Sequence, residues 1–260
     1  MSSDLSGIVR RAPAFAVVVP FYNEARGMQR TLDALAAQHD ADFALVLVDN
    51  ASTDESFEIA TRFAIVRGSS TIVISEPLKG TGATADTGFR HAIQAGARWI
   101  ARTDADCLPH PHWVRNLRRA LCDDGLEFVA GRIEPRTDEG ASSLRERVIL
   151  RAMIWIAEHA GRIHRRGAQF KYPYFMAAGN NLAITADLYE RSGGFPRSAI
   201  EHLHEDRVLS ETVRTMTTRA AVRRDIIVYN SVRRVRAYGY LNTLRWYHNH
   251  GYRPAVVDVR

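Results

Sequence analysis

Cysteine is scarce in this sequence of 260 residues, which contains two, Cys107 and Cys122. Two cysteines cannot build the disulfide framework of a small secreted domain, so a reducing, cytoplasmic location is the simpler prediction. Long apolar runs are missing as well. The longest candidate, from Ala14 to Val19, ends at Pro20 and falls far short of the roughly 20 residues that span a bilayer. We therefore expect neither a disulfide-rich fold nor a membrane-spanning helix.

A strong excess of one charge is also missing. Lysine and arginine number 35 against 29 aspartates and glutamates, which gives a net charge of +6. This balance favours anionic partners such as phosphates, nucleic acid or an acidic membrane, without choosing among them. Because the basic residues are dispersed and no nucleic-acid-binding motif occurs, we do not expect nucleic acid as a partner. Hydrophobic residues at 46% and charged residues at 25% are typical of a globular protein.

Apolar segments rich in β-branched residues alternate along the first half with segments of helical periodicity. Such alternation predicts right-handed βαβ units, and hence an α/β fold with a mostly parallel central sheet flanked by helices. The predicted strands are Phe15–Val19, Phe43–Val48, Thr71–Ile74, Arg98–Ala101 and Leu126–Ala130. Helices are predicted near Met28, after a capping box at Ser52–Glu55, around Phe89 and from Pro111.

Polar and acidic clusters follow three of these strands. The clusters are Tyr22 to Glu24, Asp49 with Asp54, and Asp104 with Asp106. In an open α/β sheet, ligands bind beyond the carboxyl ends of the strands, so the clusters should share one edge. Grouped carboxylates repel one another unless a positive group joins them, and their oxygens suit Mg²⁺ or Mn²⁺. The alternative is that Asp104 or Asp106 merely caps the next helix, but its place at a strand end favours the metal.

Several segments occur in the order and spacing of the inverting family 2 glycosyltransferases, and the chain resembles that family. The segments are Pro20–Glu24, Val48–Asp54, Asp104–Asp106, Ala178–Asn181, Gly193–Phe195 and Glu205-Asp206. The resemblance covers about residues 13–215. It implies a Rossmann-like GT-A fold and the transfer of a sugar from a UDP- or GDP-sugar to a hydroxyl acceptor. It also implies a divalent metal, Mn²⁺ or Mg²⁺.

The resemblance assigns roles on the donor side. Three residues would lie along the nucleotide: Pro20, Tyr22 and Glu24. Asp49 would accept a hydrogen bond from the base. Gly179 and Asn180 would lie near the donor sugar or the acceptor, although the amides of this segment could equally hold the backbone together.

The resemblance also assigns metal ligands. Asp104 would face the ribose and the metal, and Asp106 would ligate the metal that bridges the two phosphates. Enzymes of this fold often use a histidine as a further ligand, and Asn230 stands in the corresponding region here. His248 or His250 is the alternative third ligand.

Two acidic residues are candidates for catalysis. Asp206 resembles the general base that removes the proton of the acceptor hydroxyl, and Glu205 is the fallback. Taken alone, this acidic pair would more often be a helix N-terminus, where carboxylates are favourable. The preceding matches to the family favour the catalytic interpretation.

One segment departs from the family pattern. The stretch Gly80–Gly88 resembles a glycine-containing loop that commonly carries an Arg-Asn pair, and this chain has Ala85 and Asp86 there. We keep Asp86 as a candidate for binding the nucleotide sugar. The positive charge that the pair would bring could come from Lys79, Arg90 or Arg102.

Two rival functions come from the same stretch and its departures. Gly80, Gly82 and Ala85 fit the fingerprint of an NAD-dependent oxidoreductase, but Ser75–Lys79 separates them from the preceding strand, and the fingerprint needs a tight turn there. The departures at Ala85 and Asn230 also permit a catalytically silent domain that only binds nucleotide.

We predict one domain over residues 13–260, after a flexible leader at residues 1–12. It comprises a nucleotide-sugar-binding half (13–130), an acceptor half (131–230) and a C-terminal extension (231–260). The periodicity of Leu144–Ile163 predicts an amphipathic helix that packs on the core. Alternatively, the basic residues after it and those in Arg233–Arg236 could bring the chain to the inner face of an anionic membrane that carries a lipid-linked acceptor.

Overall fold

A computed structural model of the chain describes residues 13–139, 148–149, 152, 155, 167–197, 204–240 and 242–243. The predicted leader, His248 and His250 lie outside the described residues, as does most of the predicted helix from Leu144 to Ile163. Within the described residues, no helix is both long enough and apolar enough to cross a bilayer.

Strands and helices alternate through the first half, as the sequence predicts. The strands are β1 (Phe15–Phe21), β2 (Ala44–Asp49), β3 (Thr71–Ser75), β4 (Trp99–Arg102), β5 (Leu108–Pro109), β6 (Phe128–Pro135), β7 (Leu182–Thr185) and β8 (Ala220–Asn230). The helices are α1 (Met28–Ala36), α2 (Ser56–Arg67), α3 (Thr81–Gln94), α4 (Trp113–Arg118), α5 (Ala186–Arg191), α6 (Glu205–Met216) and α7 (Arg233–Tyr238). A π-helical turn, Arg119–Asp123, extends α4.

The strands of the described residues form one sheet in the order β3-β2-β1-β4-β7-β6-β8-β5. The pairs β1/β2, β2/β3, β1/β4 and β6/β8 are parallel, whereas β7 runs antiparallel to both of its neighbours. The sheet is therefore mostly parallel and flanked by helices, which confirms the predicted fold class. Strands β1, β2 and β4 end at the same edge, which we call the carboxyl edge.

Two apolar layers bury the faces of the sheet. Alternate residues of β1 point to opposite sides, so that Val17 and Val19 join one layer while Ala16 and Val18 join the other. Helices α1 and α4 cover the first layer, and α3, α5 and α6 cover the second. Every residue of β1 is buried. Covered on both sides, these strands need continuous apolar sequences, which explains the runs read as strands above.

Three local predictions were wrong. Helix α2 begins at Ser56, so the Ser52–Glu55 segment is a turn before the helix and not its capping box. Helix α3 begins at Thr81, so most of the predicted glycine-containing loop is helical. Strand β6 begins at Phe128, two residues later than predicted, and continues to Pro135.

Candidate functional site

The tips of β1 and β2 are joined by side chains that accept backbone hydrogen bonds. The hydroxyl groups of Ser52 and Ser56 accept from the N–H groups of Asn23 (3.1 Å) and Glu24 (2.7 Å). The carboxylate of Asp54 accepts from the N–H of Ala25 at 3.0 Å. These bonds form because the parallel register places Phe21 opposite Asp49. The segment after β2, predicted as a helix cap, therefore shapes the carboxyl edge.

Backbone strain is concentrated at these two tips. Asn23 and Ala51 are the non-glycine residues of the described chain with positive φ, at 51° and 56°. The left-handed region is unfavourable for alanine, because its Cβ crowds the backbone there. Such conformations persist where the surrounding structure over-determines them, which is typical of ligand-binding sites.

The residues predicted to bind the nucleotide surround these tips. Lys79 Nζ lies 3.6 Å from the centroid of the Tyr22 ring and donates to the carbonyl of Asn50 at 2.7 Å. Asp49 is nearly buried, and its oxygens accept from the N–H of Ser52 at 3.1 and 3.3 Å. Pro20 is buried within β1 and makes the strand rigid beneath Tyr22.

An arginine from the end of the described chain joins two of the tips. Arg233 Nη2 lies 2.7 Å from Glu24 Oε2 and 3.7 Å from Asp106 Oδ2, and Arg233 Nε lies 3.8 Å from Glu139 Oε1. We call Arg233 and these three carboxylates the Arg233 cluster. Arg136, which is buried, supports it by donating to the carbonyl of Asp106 at 2.8 Å.

The predicted metal ligands lie at the same edge. Cys107 Sγ lies 3.4 Å from Asp106 Oδ1 and 3.2 Å from Asn230 Oδ1, so the two oxygens share the single proton of this thiol. Among the described residues, no group of three or more His, Cys, Asp or Glu side chains is arranged to hold a metal ion. Mg²⁺ is commonly bound by one or two carboxylates together with substrate phosphates and waters. Oxygen donors from Asp104, Asp106 and Asn230 fit a cation that binds together with a diphosphate.

A second arginine, at the end of β4, gathers the remaining acidic candidates. Arg102 donates through Nε to Asp104 at 3.1 Å and through both Nη atoms to Glu205 at 3.3 Å. Its side chain is only 2% exposed. We call Arg102, Asp104, Glu205 and Asp206 the Arg102 cluster. It connects the predicted metal side of the edge to the first turn of α6.

Burial and neighbouring charges shift the pKa values of Arg102 and Glu205 within the Arg102 cluster. Burial alone would lower the pKa of Arg102, but Asp104, Glu205 and Asp206 raise it, so the guanidinium stays charged. Burial raises the pKa of Glu205, and Asp206 and Asp104 raise it further, against the opposing effect of Arg102.

The Ala178–Asn181 segment supports the same cluster. The N–H of Gly179 donates to Asp206 Oδ2 at 3.1 Å, and a Cβ at this position would come within 2.8 Å of the Arg102 guanidinium. Asn180 Oδ1 is buried and has no hydrogen-bond partner among the described residues. Asn181 instead accepts from Trp113 Nε1 at 2.9 Å and donates to backbone carbonyls of β6 and β8. Of the two amides, Asn181 is the one that holds the backbone.

Asp86, predicted to bind the nucleotide sugar, is bonded to protein groups in this structure. Its fully buried carboxylate accepts from Tyr189 OH at 2.8 Å, Arg90 Nε at 2.8 Å and Arg197 Nη1 at 3.3 Å. Because α3 begins before it, Asp86 faces the core and anchors the Gly193–Phe195 turn. In this structure it is enclosed by protein donors and offers no face to a nucleotide.

The three cations proposed to replace the missing arginine are already paired. Lys79 bonds backbone carbonyls, Arg90 bonds Asp86, and Arg102 bonds Asp104 and Glu205. The basic residue that reaches the carboxyl edge beside Asp106 is Arg233, which the sequence analysis considered only for membrane contact. The sequence separation of Arg233 from Glu24 or Asp106 did not indicate this contact, because the contact depends on the order of the strands in the sheet.

Gly82 explains why the dinucleotide fingerprint is misleading. A Cβ at Gly82 would lie 2.3 Å from the carbonyl oxygen of Pro196 and 3.0 Å from Glu205 Cβ. The glycine thus permits close packing of α3 against protein atoms. Five residues also separate the end of β3 from the start of α3. Neither feature matches the tight turn and open glycine surface that bind a dinucleotide pyrophosphate.

Comparison with protein families and curated sequences gives consistent matches. The profile described as "Glycosyl transferase family 2" matches residues 16–203. Glycosyltransferase AglE of Haloferax volcanii is 31% identical over 124 residues, which cover 47% of this chain and 40% of that protein. A PGL/p-HBAD biosynthesis glycosyltransferase of Mycobacterium tuberculosis is 44% identical over 95 residues, 36% of each chain. The matched segments thus span well under two thirds of these relatives.

Solved structures share the fold. S. aureus TarS in complex with UDP-GlcNAc aligns with a TM-score of 0.61 at 16% identity, covering 84% of this chain and 58% of that one. The mannosyltransferase PcManGT from Pyrobaculum calidifontis, in complex with GDP-Man and Mn²⁺, aligns with a TM-score of 0.61 at 23% identity, covering 90% and 63%. At these identities the alignments establish the GT-A fold.

Proposed function

Because the chain belongs to glycosyl transferase family 2, we propose that it transfers a sugar, with inversion, from a nucleoside diphosphate sugar to a hydroxyl group. The observation that carries the proposal is the Arg102 cluster. A single buried guanidinium bonds both Asp104, on the predicted donor side, and Glu205, which adjoins the predicted base. The residues for donor and acceptor therefore meet at one point of the carboxyl edge.

A nucleoside diphosphate is the donor that this edge suits. The structural neighbours were solved with UDP-GlcNAc and with GDP-Man, which supports a UDP- or GDP-sugar here. We assign Pro20, Tyr22 and Glu24 to the nucleotide and Asp49 to the base. The strained turns at the tips of β1 and β2 hold this part of the site rigid before the ligand arrives.

A divalent cation, Mn²⁺ or Mg²⁺, is part of the proposal, and a Mn²⁺-bound neighbour supports it. Asp104 and Asp106 would hold it, with Asn230 as a further oxygen ligand beside Asp106. When bound, such a cation stabilises the negative charge that grows on a diphosphate leaving group. Cys107, through its thiol proton, keeps Asp106 and Asn230 oriented.

Asp206 is the residue that we assign to proton transfer. The acceptor oxygen forms a bond to the anomeric carbon, the bond from that carbon to the diphosphate breaks, and Asp206 takes the acceptor proton. Backbone N–H groups orient both oxygens of Asp206: Gly179 donates to Oδ2 at 3.1 Å and Arg207 donates to Oδ1 at 2.7 Å. Glu205 is bonded to Arg102 and acts by positioning it. The side-chain oxygen of Asn180, which has no partner within the described part of the chain, would accept from a sugar or acceptor hydroxyl.

The acceptor is a hydroxyl compound, which a lipid could carry. Arg233 is bonded to Glu24, and Arg236 donates to the carbonyl of Glu139. Both arginines therefore have protein partners that a membrane surface would have to replace. Contact with an anionic membrane, and a cytoplasmic location at its inner face, remain predictions. They rest on the basic residues after the predicted helix, Arg165 and Arg166 among them, which lie outside the described residues. Binding of the full chain to anionic vesicles that survives Ala substitution at both would contradict the role of this basic region, and no binding by the wild type would contradict the membrane contact.

A panel of nucleotide sugars, incubated with Mn²⁺ and the full chain, tests the proposed function. Release of the nucleoside diphosphate from at least one donor is expected. If no donor releases it, with or without acceptors, a catalytically silent nucleotide-binding domain is the better description. In a thermal-shift assay, UDP or GDP with Mn²⁺ should protect the chain more than NAD does, and the reverse order would favour the oxidoreductase.

A further inference from the structure

The Arg233 cluster places a permanent positive charge where the proposed function requires a cation. Arg233 Nη2 contacts Glu24, after β1, at 2.7 Å and lies 3.7 Å from Asp106, after β4. Both carboxylates are assigned above to the donor and its metal. A guanidinium between them neutralises the repulsion that a bound cation would otherwise relieve.

The helix that carries Arg233 is held in place by other bonds. Glu139 Oε2 accepts from the hydroxyl of Ser231 at 2.8 Å and from the N–H of Val232 at 3.0 Å, at the start of α7. Arg236 donates to the carbonyl of Glu139. The guanidinium can therefore move away from Asp106 while α7 stays docked.

Exposure separates this arginine from the one in the other cluster. The Arg233 side chain is 25% exposed and that of Asp106 is 28% exposed, whereas Arg102 is almost fully enclosed. Burial would lower the pKa of Arg233, but Glu24, Asp106 and Glu139 raise it, so the charge is permanent. A guanidinium that stays charged and reaches solvent can exchange a carboxylate partner for a phosphate, which it binds with the same fork geometry.

We propose that Arg233 couples the binding of the metal to the binding of the diphosphate. In the free chain it occupies Asp106 and Glu24, so a divalent cation alone must compete with it and binds weakly. When a nucleoside diphosphate is present, the guanidinium pairs with phosphate oxygens and leaves Asp106 to the cation. The metal and the nucleotide then strengthen each other's binding. This inference rests on the proposed function and names the residue that couples the binding of the metal to the binding of the nucleotide.

The test is the affinity of the full chain for Mn²⁺, followed by electron paramagnetic resonance of the free ion. It is measured without nucleotide and with saturating UDP or GDP, whichever binds. Wild type should bind Mn²⁺ weakly alone and on the order of 10-fold or more tightly with nucleotide. Arg233→Gln should bind Mn²⁺ alone several-fold more tightly than wild type and show a smaller gain from nucleotide. Reciprocity requires the same change in the effect of Mn²⁺ on nucleotide affinity.

Arg236→Gln is the matched control, because it removes the same charge from the same helix away from Asp106. Equal Mn²⁺ affinities for Arg233→Gln and wild type would overturn the inference while leaving the proposed function standing. A wild type that binds no Mn²⁺ with any nucleotide would remove both. If Arg233→Gln does not fold, Arg233→Lys decides: its shorter, single ammonium should hold Asp106 less well and so tighten Mn²⁺ binding. Unchanged affinity in Arg233→Lys would then overturn the inference.

Discussion

The Arg233 cluster and the Arg102 cluster share one sheet edge, and each joins carboxylates through an arginine. They differ in how permanent that arginine is. Arg102 is enclosed by β4, the Gly179 turn and α6, while Arg233 comes from a short late helix and reaches solvent. A buried arginine cannot leave without exposing carboxylates to one another in a low-dielectric interior. Arg102 is therefore a fixed part of the fold, whereas Arg233 is a counter-ion that can exchange its carboxylate partner for a ligand.

The pKa values of two carboxylates, Glu205 and Asp54, are shifted in opposite directions by their surroundings. Burial and neighbouring acids raise the pKa of Glu205. At the nucleotide tip, burial would raise the pKa of Asp54, but the Ser56 hydroxyl and the N–H groups of Ala25 and Ser56 hold it below its usual value. Backbone N–H donors thus favour the ionised form of Asp54, whereas burial and the neighbouring carboxylates of the Arg102 cluster disfavour the ionised form of Glu205.

The largest expected effect distinguishes chemistry from binding. Asp206→Asn should lower turnover by about 10²- to 10⁴-fold, because the acceptor proton loses its base. Binding of the nucleotide with Mn²⁺ should be unchanged, since Asp206 does not contact the donor-side tips. Steady-state release of nucleoside diphosphate and calorimetric titration measure the two effects. Asp187→Asn, which changes an exposed side chain of α5, is the matched control, and unchanged turnover in Asp206→Asn would remove that residue from the mechanism.

Removing each arginine compares the two clusters directly. Arg102→Met leaves Asp104 and Glu205 without their buried partner and should lower the free energy of unfolding by about 3–5 kcal/mol. Arg233→Gln breaks partly exposed pairs and should cost about 1 kcal/mol or less. Urea denaturation monitored by circular dichroism measures both. Similar losses for the two variants would mean that the distinction between a fixed and an exchangeable arginine is wrong.

A smaller effect is expected from the metal side. Asp106→Ala should weaken nucleotide binding in the presence of Mn²⁺ by about 10- to 100-fold, the range found when groups that support a metal site are removed. The backbone carbonyl that Arg136 uses remains, so the loop should keep its shape. Titration of UDP or GDP with Mn²⁺, and again with EDTA, separates the two contributions. An equal loss in EDTA would show that Asp106 does not act through a cation.

The sequence predicted the acidic groups of the site better than it predicted their arginine partners. The strand tips were found because acidic residues follow apolar runs, and parallel strands necessarily end at one edge. Arg102 was considered as a replacement cation and Arg233 for membrane contact, but their carboxylate partners were not predicted. Arg233, for example, reaches Glu24 across 209 positions, and no periodicity indicates a contact at that separation. The position of Asp86 within α3 was also not predicted, because the segment was interpreted as a loop where α3 has already begun. Local pattern thus located the acidic groups, but their counter-ions depend on the tertiary structure.

The smallest expected effect is a difference in pH dependence. Because the pKa of Glu205 is raised on folding, its contribution to stability is present at low pH and is lost as pH rises above the usual glutamate value of 4.5. Asp54 has a lowered pKa, so its contribution is lost as pH falls below 3.8. The stability of wild type relative to Glu205→Gln should therefore fall with rising pH, and relative to Asp54→Asn it should rise. Urea unfolding across this range measures both slopes, and slopes of the same sign would contradict the assignment.

The most direct test is a crystal structure of the full chain with Mn²⁺ and UDP or GDP, using the anomalous signal of manganese. The proposed function requires the ion to lie between Asp106 and the two phosphates, with Asp104 beside it. An ion bound elsewhere, or a nucleotide that occupies the edge with both aspartates turned away, would contradict the account.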